Sequence, residues 1–156
     1  MKTRTRAALM IAASFCFCSS MIAAQTKPDF SGVWKMNRQK SKFEALENIR
    51  DIVTKIEHKE PSFSEFMTIT SIDGDQTVEA KYTTDGKETA VKFPSGSAKA
   101  TAKWEGDALT VEWKTEAFNV RRKYTLSADG KTLTVAGRHS TPNGDVDGIT
   151  VFEKQF

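Results

Sequence analysis

Residues 66–82 read FMTITSIDGDQTVEAKY. Apolar and polar side chains alternate on both sides of Asp73-Gly74, which is the period of a half-buried β-strand. An Asp-Gly pair between two alternating runs is a strong short-range signal for a β-hairpin. This stretch therefore predicts two antiparallel strands, with apolar side chains such as Val78 and Tyr82 on one shared face.

Similar turn signals recur through the rest of the chain. They are Asp85-Gly86, Pro94-Ser95-Gly96, Glu105-Gly106-Asp107, Asp129-Gly130 and Asn143-Gly144. Together with the first hairpin they delimit eight predicted strands, at 66–72, 76–83, 87–93, 98–104, 108–114, 117–126, 131–138 and 147–154. No helical pattern interrupts them, so we predict an all-β protein whose antiparallel up-and-down meander closes into a barrel of about eight to ten strands, because closure removes exposed edges.

One amphipathic helix is expected between a short first strand, 30–36, and the meander. Ser41 and Glu44 have the spacing of a capping box, and Pro61 follows the last predicted turn. The apolar residues of the segment recur at spacings of three, four and three: Leu46, Ile49, Val53 and Ile56. This spacing predicts one apolar helix face, which could cover the mouth of the barrel as a lid.

The first 24 residues have the composition of a secretory signal peptide. An apolar run from residue 7 to about 18 follows three basic residues, Lys2, Arg4 and Arg6. Small residues then lead to Ala24, after which we predict cleavage, with cleavage after Ala23 as the alternative. An uncleaved anchor is less consistent with so short an apolar run. We therefore expect a secreted or periplasmic domain of residues 25–156.

Removal of this segment changes the charge of the chain. The 156-residue sequence has 23 basic and 20 acidic residues, and three of the basic ones lie in the segment. The remaining domain has no net charge and no cysteine, because Cys16 and Cys18 are also removed. It therefore offers no argument for a nucleic-acid partner, and no disulfide or thiolate metal site. We expect a monomer without stable membrane insertion.

The predicted strand 98–104 indicates what the barrel interior is like. Its apolar face consists of three alanines and a tryptophan: Ala98, Ala100, Ala102 and Trp104. Three small inward side chains could leave space for one small ligand, which barrels of this size can hold. The alternative is that the alanines accommodate large side chains from across the barrel.

Arg122 has the inward parity of its strand, together with Phe118, Val120, Tyr124 and Leu126. A buried guanidinium needs a partner, and its planar fork fits a carboxylate. One interpretation is an anchor for the acidic head of a fatty-acid-like ligand, with Tyr124 donating a hydrogen bond. The other is a structural pair with an internal acid, or stacking on an aromatic side chain such as Trp34.

Other candidate sites are weak. His58 and His139 are far apart in the chain, and neither is accompanied by a nucleophile and a carboxylate, so we expect solvated or capping roles for both. Motifs for phosphate binding, zinc proteases and serine hydrolases are absent from the sequence. We therefore predict a protein that is not an enzyme, with no catalytic residue, metal site or cofactor. A barrel enzyme with a site at its open end is the weaker alternative.

The segment Phe30-Ser31-Gly32-Val33-Trp34-Lys35 resembles the Gly-x-Trp signature on the first strand of lipocalins and fatty-acid-binding proteins, the calycin-type barrels. Thr84-Asp85-Gly86-Lys87 and Arg122-x-Tyr124 are similar to the fatty-acid-binding layout. This resemblance implies a lipocalin-like barrel in which Gly32 and Trp34 are structural signature residues, with Trp34 at the closed end. It also implies binding of a small hydrophobic molecule.

We therefore expect an exported protein that binds or carries a hydrophobic, acidic ligand inside its barrel. The candidate ligand-binding residues are Ala98, Ala100, Ala102, Trp104, Trp113, Phe118, Arg122 and Tyr124. The alternative is a filled barrel that acts as a protein-interaction or envelope-structural module without a ligand.

Overall fold

The computed structural model describes residues 26–93 and 96–156, so the predicted signal peptide lies outside the described residues. Within that part, ten strands form one antiparallel sheet. They are β1 (Gly32–Met36), β2 (Ile49–Lys59), β3 (Ser62–Ser71), β4 (Gly74–Thr83), β5 (Thr89–Phe93), β6 (Gly96–Glu105), β7 (Ala108–Lys114), β8 (Asn119–Leu126), β9 (Thr132–Thr141) and β10 (Gly144–Gln155). A short 3₁₀ helix (Glu44–Glu47) lies between β1 and β2.

The strands follow one another around a nearly closed barrel. The hydrogen-bonded order is β4-β3-β2-β1-β10-β9-β8-β7-β6-β5, so the first strand pairs with the last. The sheet edges β4 and β5 lie side by side, and the Thr89 hydroxyl donates to the Lys81 carbonyl at 3.2 Å. The predicted all-β meander barrel is therefore confirmed.

The helix predicted after the first strand is wrong over most of its length. Residues 49–59 form β2, which pairs with β1 on one side and β3 on the other. Ile52, Thr54 and Ile56 alternate inward with the strand period, whereas Val53 points to the other face. β-Branched side chains fit this pleated surface well, and pairing on both edges outweighs the local helix signal. The proposed lid face is therefore split between the two sides of a strand.

The predicted capping box is also absent. The Ser41 hydroxyl is buried and donates to the Asn37 carbonyl at 2.8 Å, while the Val151 amide donates to it at 3.0 Å. Ser41 therefore joins the β1–β2 connection to β10 and does not start a helix. The segment continues this contact through two backbone hydrogen bonds between Lys42 and Ile149.

The two ends of the barrel differ because successive turns of a meander alternate between them. The aromatic end contains Phe30, Trp34, His58, Phe63 and Trp104. The open end carries the β3–β4, β7–β8 and β9–β10 turns and the 3₁₀ helix. Across residues 26–93 and 96–156, no helix has the length and apolarity needed to cross a membrane.

Candidate functional site

The aromatic end is filled by ring contacts. Phe30 stacks on Trp104 with 5.8 Å between ring centroids and meets Phe63 edge-on at 6.2 Å. Trp34 has no exposed surface, and its indole N–H donates to the Phe30 carbonyl at 2.9 Å. Large aromatic side chains that interlock in this way leave no space for a ligand, so this end stabilises the fold.

Gly32 has a backbone conformation that favours glycine. Its φ is +144°, so a larger residue at this position would be strained. A Cβ here would also lie 2.7 Å from the Cε of Lys154, but the flexible end of that side chain can move aside. The Lys154 ammonium lies 5.2 Å from the centroid of the Trp34 ring.

His58 belongs to the aromatic end, and its expected solvated role is wrong. Only 3% of its side chain is exposed. Its Nδ1 accepts from the Phe30 amide at 3.4 Å, and its Nε2 lies 3.0 Å from a Glu60 carboxylate oxygen. The sequence pattern could not show this, because Phe30 precedes β1 and lies 28 residues earlier in the chain.

Glu60 ties three elements together at the rim of the aromatic end. Its carboxylate also accepts from the Thr84 hydroxyl at 2.6 Å and the Trp104 indole at 2.8 Å. Burial alone raises the pKa of Glu60, but the hydrogen bonds from Thr84, His58 and Trp104 outweigh it, so the pKa lies below its ordinary value. The contacts of Glu60 with His58, Thr84 and Trp104 therefore stabilise the filled end of the barrel.

A polar layer crosses the middle of the barrel. It consists of Thr54, Glu65, Tyr82, Trp113, Arg122 and Tyr124. The Tyr124 hydroxyl donates to Glu65 at 2.9 Å, and the Thr54 hydroxyl donates to the other carboxylate oxygen at 3.3 Å. Burial raises the pKa of Tyr124, and the Glu65 charge raises it further, so the phenol remains a donor.

Arg122 is held from two sides in this layer. Its guanidinium lies 3.7 Å from the Glu65 carboxylate and 4.7 Å from the centroid of the Trp113 ring. The Trp113 indole donates to the Tyr82 hydroxyl at 2.7 Å. Arg122 therefore lies beside an internal acid, as one of the two interpretations expected. Its aromatic partner is Trp113 and not Trp34. The anchor interpretation stays a prediction.

A pocket of about 270 Å³ lies between the polar layer and the open end. Its wall is formed mostly by inward positions of β8, β9 and β10, and its residues include Phe43, Val120, Arg122, Val135, Gly137, His139, Val146, Gly148 and Thr150. Arg122 is its charged inward group, with a quarter of the side chain exposed. The pocket can hold an apolar body with a polar end at the guanidinium.

Two glycines create much of this space. Gly137 on β9 and Gly148 on β10 are direct cross-strand partners that point inward. A Cβ at Gly148 would lie 2.6 Å from the Cβ of Phe43, so glycine lets the β1–β2 connection pack across β10. A Cβ at Gly137 would come no closer than 4.0 Å to its neighbours, so here the missing side chain leaves free volume.

A second pocket, of about 580 Å³, lies on the other side of the open end. Phe93 stacks on Trp113 at 6.3 Å between centroids, and Phe118 meets the His139 ring edge-on at 5.2 Å. These rings line the entrance without filling it. The open end is therefore aromatic at its rim but unpacked below it.

The predicted ligand-binding residues separate into three groups. Trp113, Phe118 and Arg122 lie at the two pockets. Trp104 and Tyr124 lie in or beside the packed end, and the Tyr124 hydroxyl already donates its hydrogen bond to Glu65.

The alanines form the third group. Ala100 and Ala102 have no exposed surface and line neither pocket, whereas Ala98 borders a further pocket together with Phe93 and Phe118. Trp113, the cross-strand partner of Ala100, reaches Tyr82 on β4 across the strands between them. Small side chains on β6 therefore accommodate large neighbours, which is the alternative that the sequence left open.

Sequence reasoning missed Glu65, Gly137 and Gly148. Glu65 shares the inward parity of Phe63 and Met67, and this alternation could have identified it had the strand been predicted to start before residue 66. Gly137 and Gly148 have no side chain, so the alternation of apolar and polar residues does not mark them as inward positions. Over the described ranges, no group of three histidine, aspartate or glutamate side chains is placed to hold a metal ion.

No known protein-family model matches the chain, and no curated protein sequence matches it. Solved structures do. Zebrafish ileal bile acid-binding protein complexed with cholic acid is 19% identical, with a TM-score of 0.60 over 81% of this chain and 98% of that one. Fatty-acid-binding protein 1 of Echinococcus granulosus is 14% identical, with a TM-score of 0.59 over 81% and 98%.

The fatty-acid-binding protein of Manduca sexta is 20% identical, with a TM-score of 0.54 over 80% of this chain and 99% of that one. At these identities the likeness concerns the fold. The chain has the same β-barrel fold as these proteins, as the Gly-x-Trp resemblance implied.

Proposed function

We propose that the protein binds a small hydrophobic molecule in the open half of its barrel. The observation that carries this proposal is the pocket of about 270 Å³ bounded by the Gly137–Gly148 pair and Arg122. Ligand pockets usually have volumes of about 300–1,000 Å³ and apolar walls with few polar groups. The size of this one suits a compact ligand or a short alkyl chain.

The fold supports the same proposal. The neighbours named above are bile-acid-binding and fatty-acid-binding proteins that have the same meander barrel. Such a barrel holds its ligand among inward side chains, and here Val120 and Val135 supply an apolar wall. A role in binding and carrying, and not in catalysis, is therefore the function that we propose.

The proposed ligand would place its polar end at Arg122. The guanidinium has five N–H donors, and one of its sides is open to the pocket. The signal-peptide pattern of residues 1–24 supports the further proposal that the carrier works outside the cytoplasm, as a secreted or periplasmic protein.

A filled barrel acting as an interaction module is the second candidate. The packed aromatic end favours it, together with outward apolar side chains such as Phe66, which is 48% exposed. This candidate predicts that the protein carries no small molecule and that filling the pocket has no effect on its function.

Native mass spectrometry of the exported protein, followed by solvent extraction, tests the two candidates. We expect a reproducible extra mass that extracts as an apolar molecule. Gly137→Leu should remove this mass because the new side chain fills the pocket, whereas the control Ala136→Leu, on the outward face of β9, should keep it. An empty wild-type protein that also fails to bind added apolar probes would contradict the carrier function.

A further inference from the structure

The margin of the proposed ligand pocket carries Glu44 and the ion pair of Arg138 with Asp147, and a further charged group, Glu65, lies behind Arg122. Glu65 projects inward from β3, and only 3% of its surface is exposed. Among the aspartate, glutamate, lysine and arginine residues of the described ranges, it is the only one that is buried. An isolated buried charge is unfavourable, so Glu65 needs neighbours that compensate it. These neighbours determine which ligand head groups the barrel can hold.

Three titratable groups lie near Glu65: Tyr82 on the neighbouring strand β4, and Arg122 and Tyr124 on β8 across the barrel. Burial raises the pKa of both phenols, so they remain uncharged donors. Arg122, at 3.7 Å, is the only cation within ion-pair distance of Glu65 in the part of the chain that the structure describes. The positive charge that a ligand would meet is therefore already balanced inside the protein.

This balance affects an acidic ligand and a neutral one differently. A carboxylate at Arg122 would add a second negative charge close to Glu65 in a poorly hydrated space, where like charges repel strongly. A hydroxyl or carbonyl oxygen can accept a hydrogen bond from the guanidinium without changing the net charge.

We infer that Glu65 determines the specificity of the pocket, so that it takes apolar molecules with an uncharged hydroxyl or carbonyl head in preference to fatty-acid anions. This inference rests on the proposed function and concerns the same site. The prediction of an acidic head group from the sequence took account of Arg122 but not of its internal partner, Glu65. With Glu65 in place, a carboxylic acid binds only in its protonated, uncharged form.

Calorimetric titration with decanol and decanoate near neutral pH tests the inference, because the two probes share an alkyl chain and differ in head-group charge. We expect wild-type protein to bind decanol at least about tenfold more tightly, the ratio that corresponds to one pKa unit of unfavourable interaction. Glu65→Gln should strengthen decanoate binding by about tenfold or more and leave decanol binding nearly unchanged. The control Glu79→Gln, on the exposed outward face of β4, should alter neither.

Proton counting on the wild-type protein gives a test that needs no variant. Titrations in buffers of different ionisation enthalpy should show about one proton taken up per decanoate bound and none per decanol. Equal affinities for the two probes, an unchanged ratio in Glu65→Gln, or decanoate binding without proton uptake would each overturn the inference alone. If neither probe binds to wild type or to Glu65→Gln, the proposed function fails and this inference fails with it.

Discussion

The aromatic end and the open end are built on the same strands, yet only one of them is filled. On β8, Tyr124 is buried among the rings of the aromatic end, whereas Val120, four residues earlier, borders the pocket. Both positions obey the same inward alternation. The difference therefore comes from side-chain size and from which polar groups find partners, and not from the backbone.

This difference separates stability from binding within a single core. Interlocked rings and the hydrogen bonds of Glu60 fix one end, while at the other end Gly137 leaves free volume beside the pocket. The polar layer lies at the boundary between them. Substitutions at the aromatic end should therefore change stability, and substitutions at the open end should mainly change binding.

The largest effect is expected for Phe63→Ala. Phe63 is fully buried and contacts Phe30, Tyr82 and Tyr124, so its truncation leaves a cavity that its neighbours cannot fill. We expect the free energy of unfolding to fall by about 3–5 kcal/mol, measured by urea denaturation. Phe118→Ala at the open end is the matched variant, and a loss of only about 1 kcal/mol is expected there because the ring is partly exposed. Equal losses at the two ends would contradict the comparison.

A smaller effect should come from Gly148→Ala. The added Cβ would lie 2.6 Å from the Cβ of Phe43, which has to move together with the β1–β2 connection. We expect a loss of about 1–3 kcal/mol in the free energy of unfolding, the usual cost of overpacking. Gly137→Ala on the paired strand is the control. Its methyl group meets no close neighbour, so it should leave stability unchanged or raise it by up to about 1 kcal/mol.

The smallest effect concerns pH. The pKa of Glu60 is lower in the folded protein than in the unfolded chain, so its ionised form stabilises the fold. That contribution is complete above the unfolded-state pKa and is lost as the pH falls through the folded-state pKa. Because Glu60 is half exposed, we expect less than about 1 kcal/mol. Thermal melts of wild type and Glu60→Gln should differ near neutral pH and converge in acid; a constant gap would contradict this role.

Sequence patterns predicted the barrel because its main signal is local. Alternation between Asp-Gly and Asn-Gly turns identifies strands and their inward faces, and it correctly gave the inward direction of Arg122. The same reasoning failed for 49–59, where the apolar spacing also fitted a helix. Pairing with β1 and β3 on its two edges decides this segment, and the apolar spacing within 49–59 does not show that pairing.

The site was harder to predict than the fold. Free volume depends on which side chains meet across the barrel, so the alanines on β6 suggested a cavity, but at Ala100 and Ala102 large neighbours fill the space. The real pocket depends on Gly137 and Gly148, which are adjacent only through the register of β9 and β10. The internal partner of Arg122 comes from β3, more than fifty residues earlier in the chain.

The pairing of β1 with β10 has a kinetic consequence. Val33 pairs with Gln155, about 120 residues later in the chain, so the barrel wall cannot be completed until the last strand has been synthesised. Contacts between such distant positions give a high contact order, and proteins dominated by them fold slowly. Hairpins of the middle strands can form early, but the native cylinder appears only as a late, cooperative step in which the two ends of the domain meet.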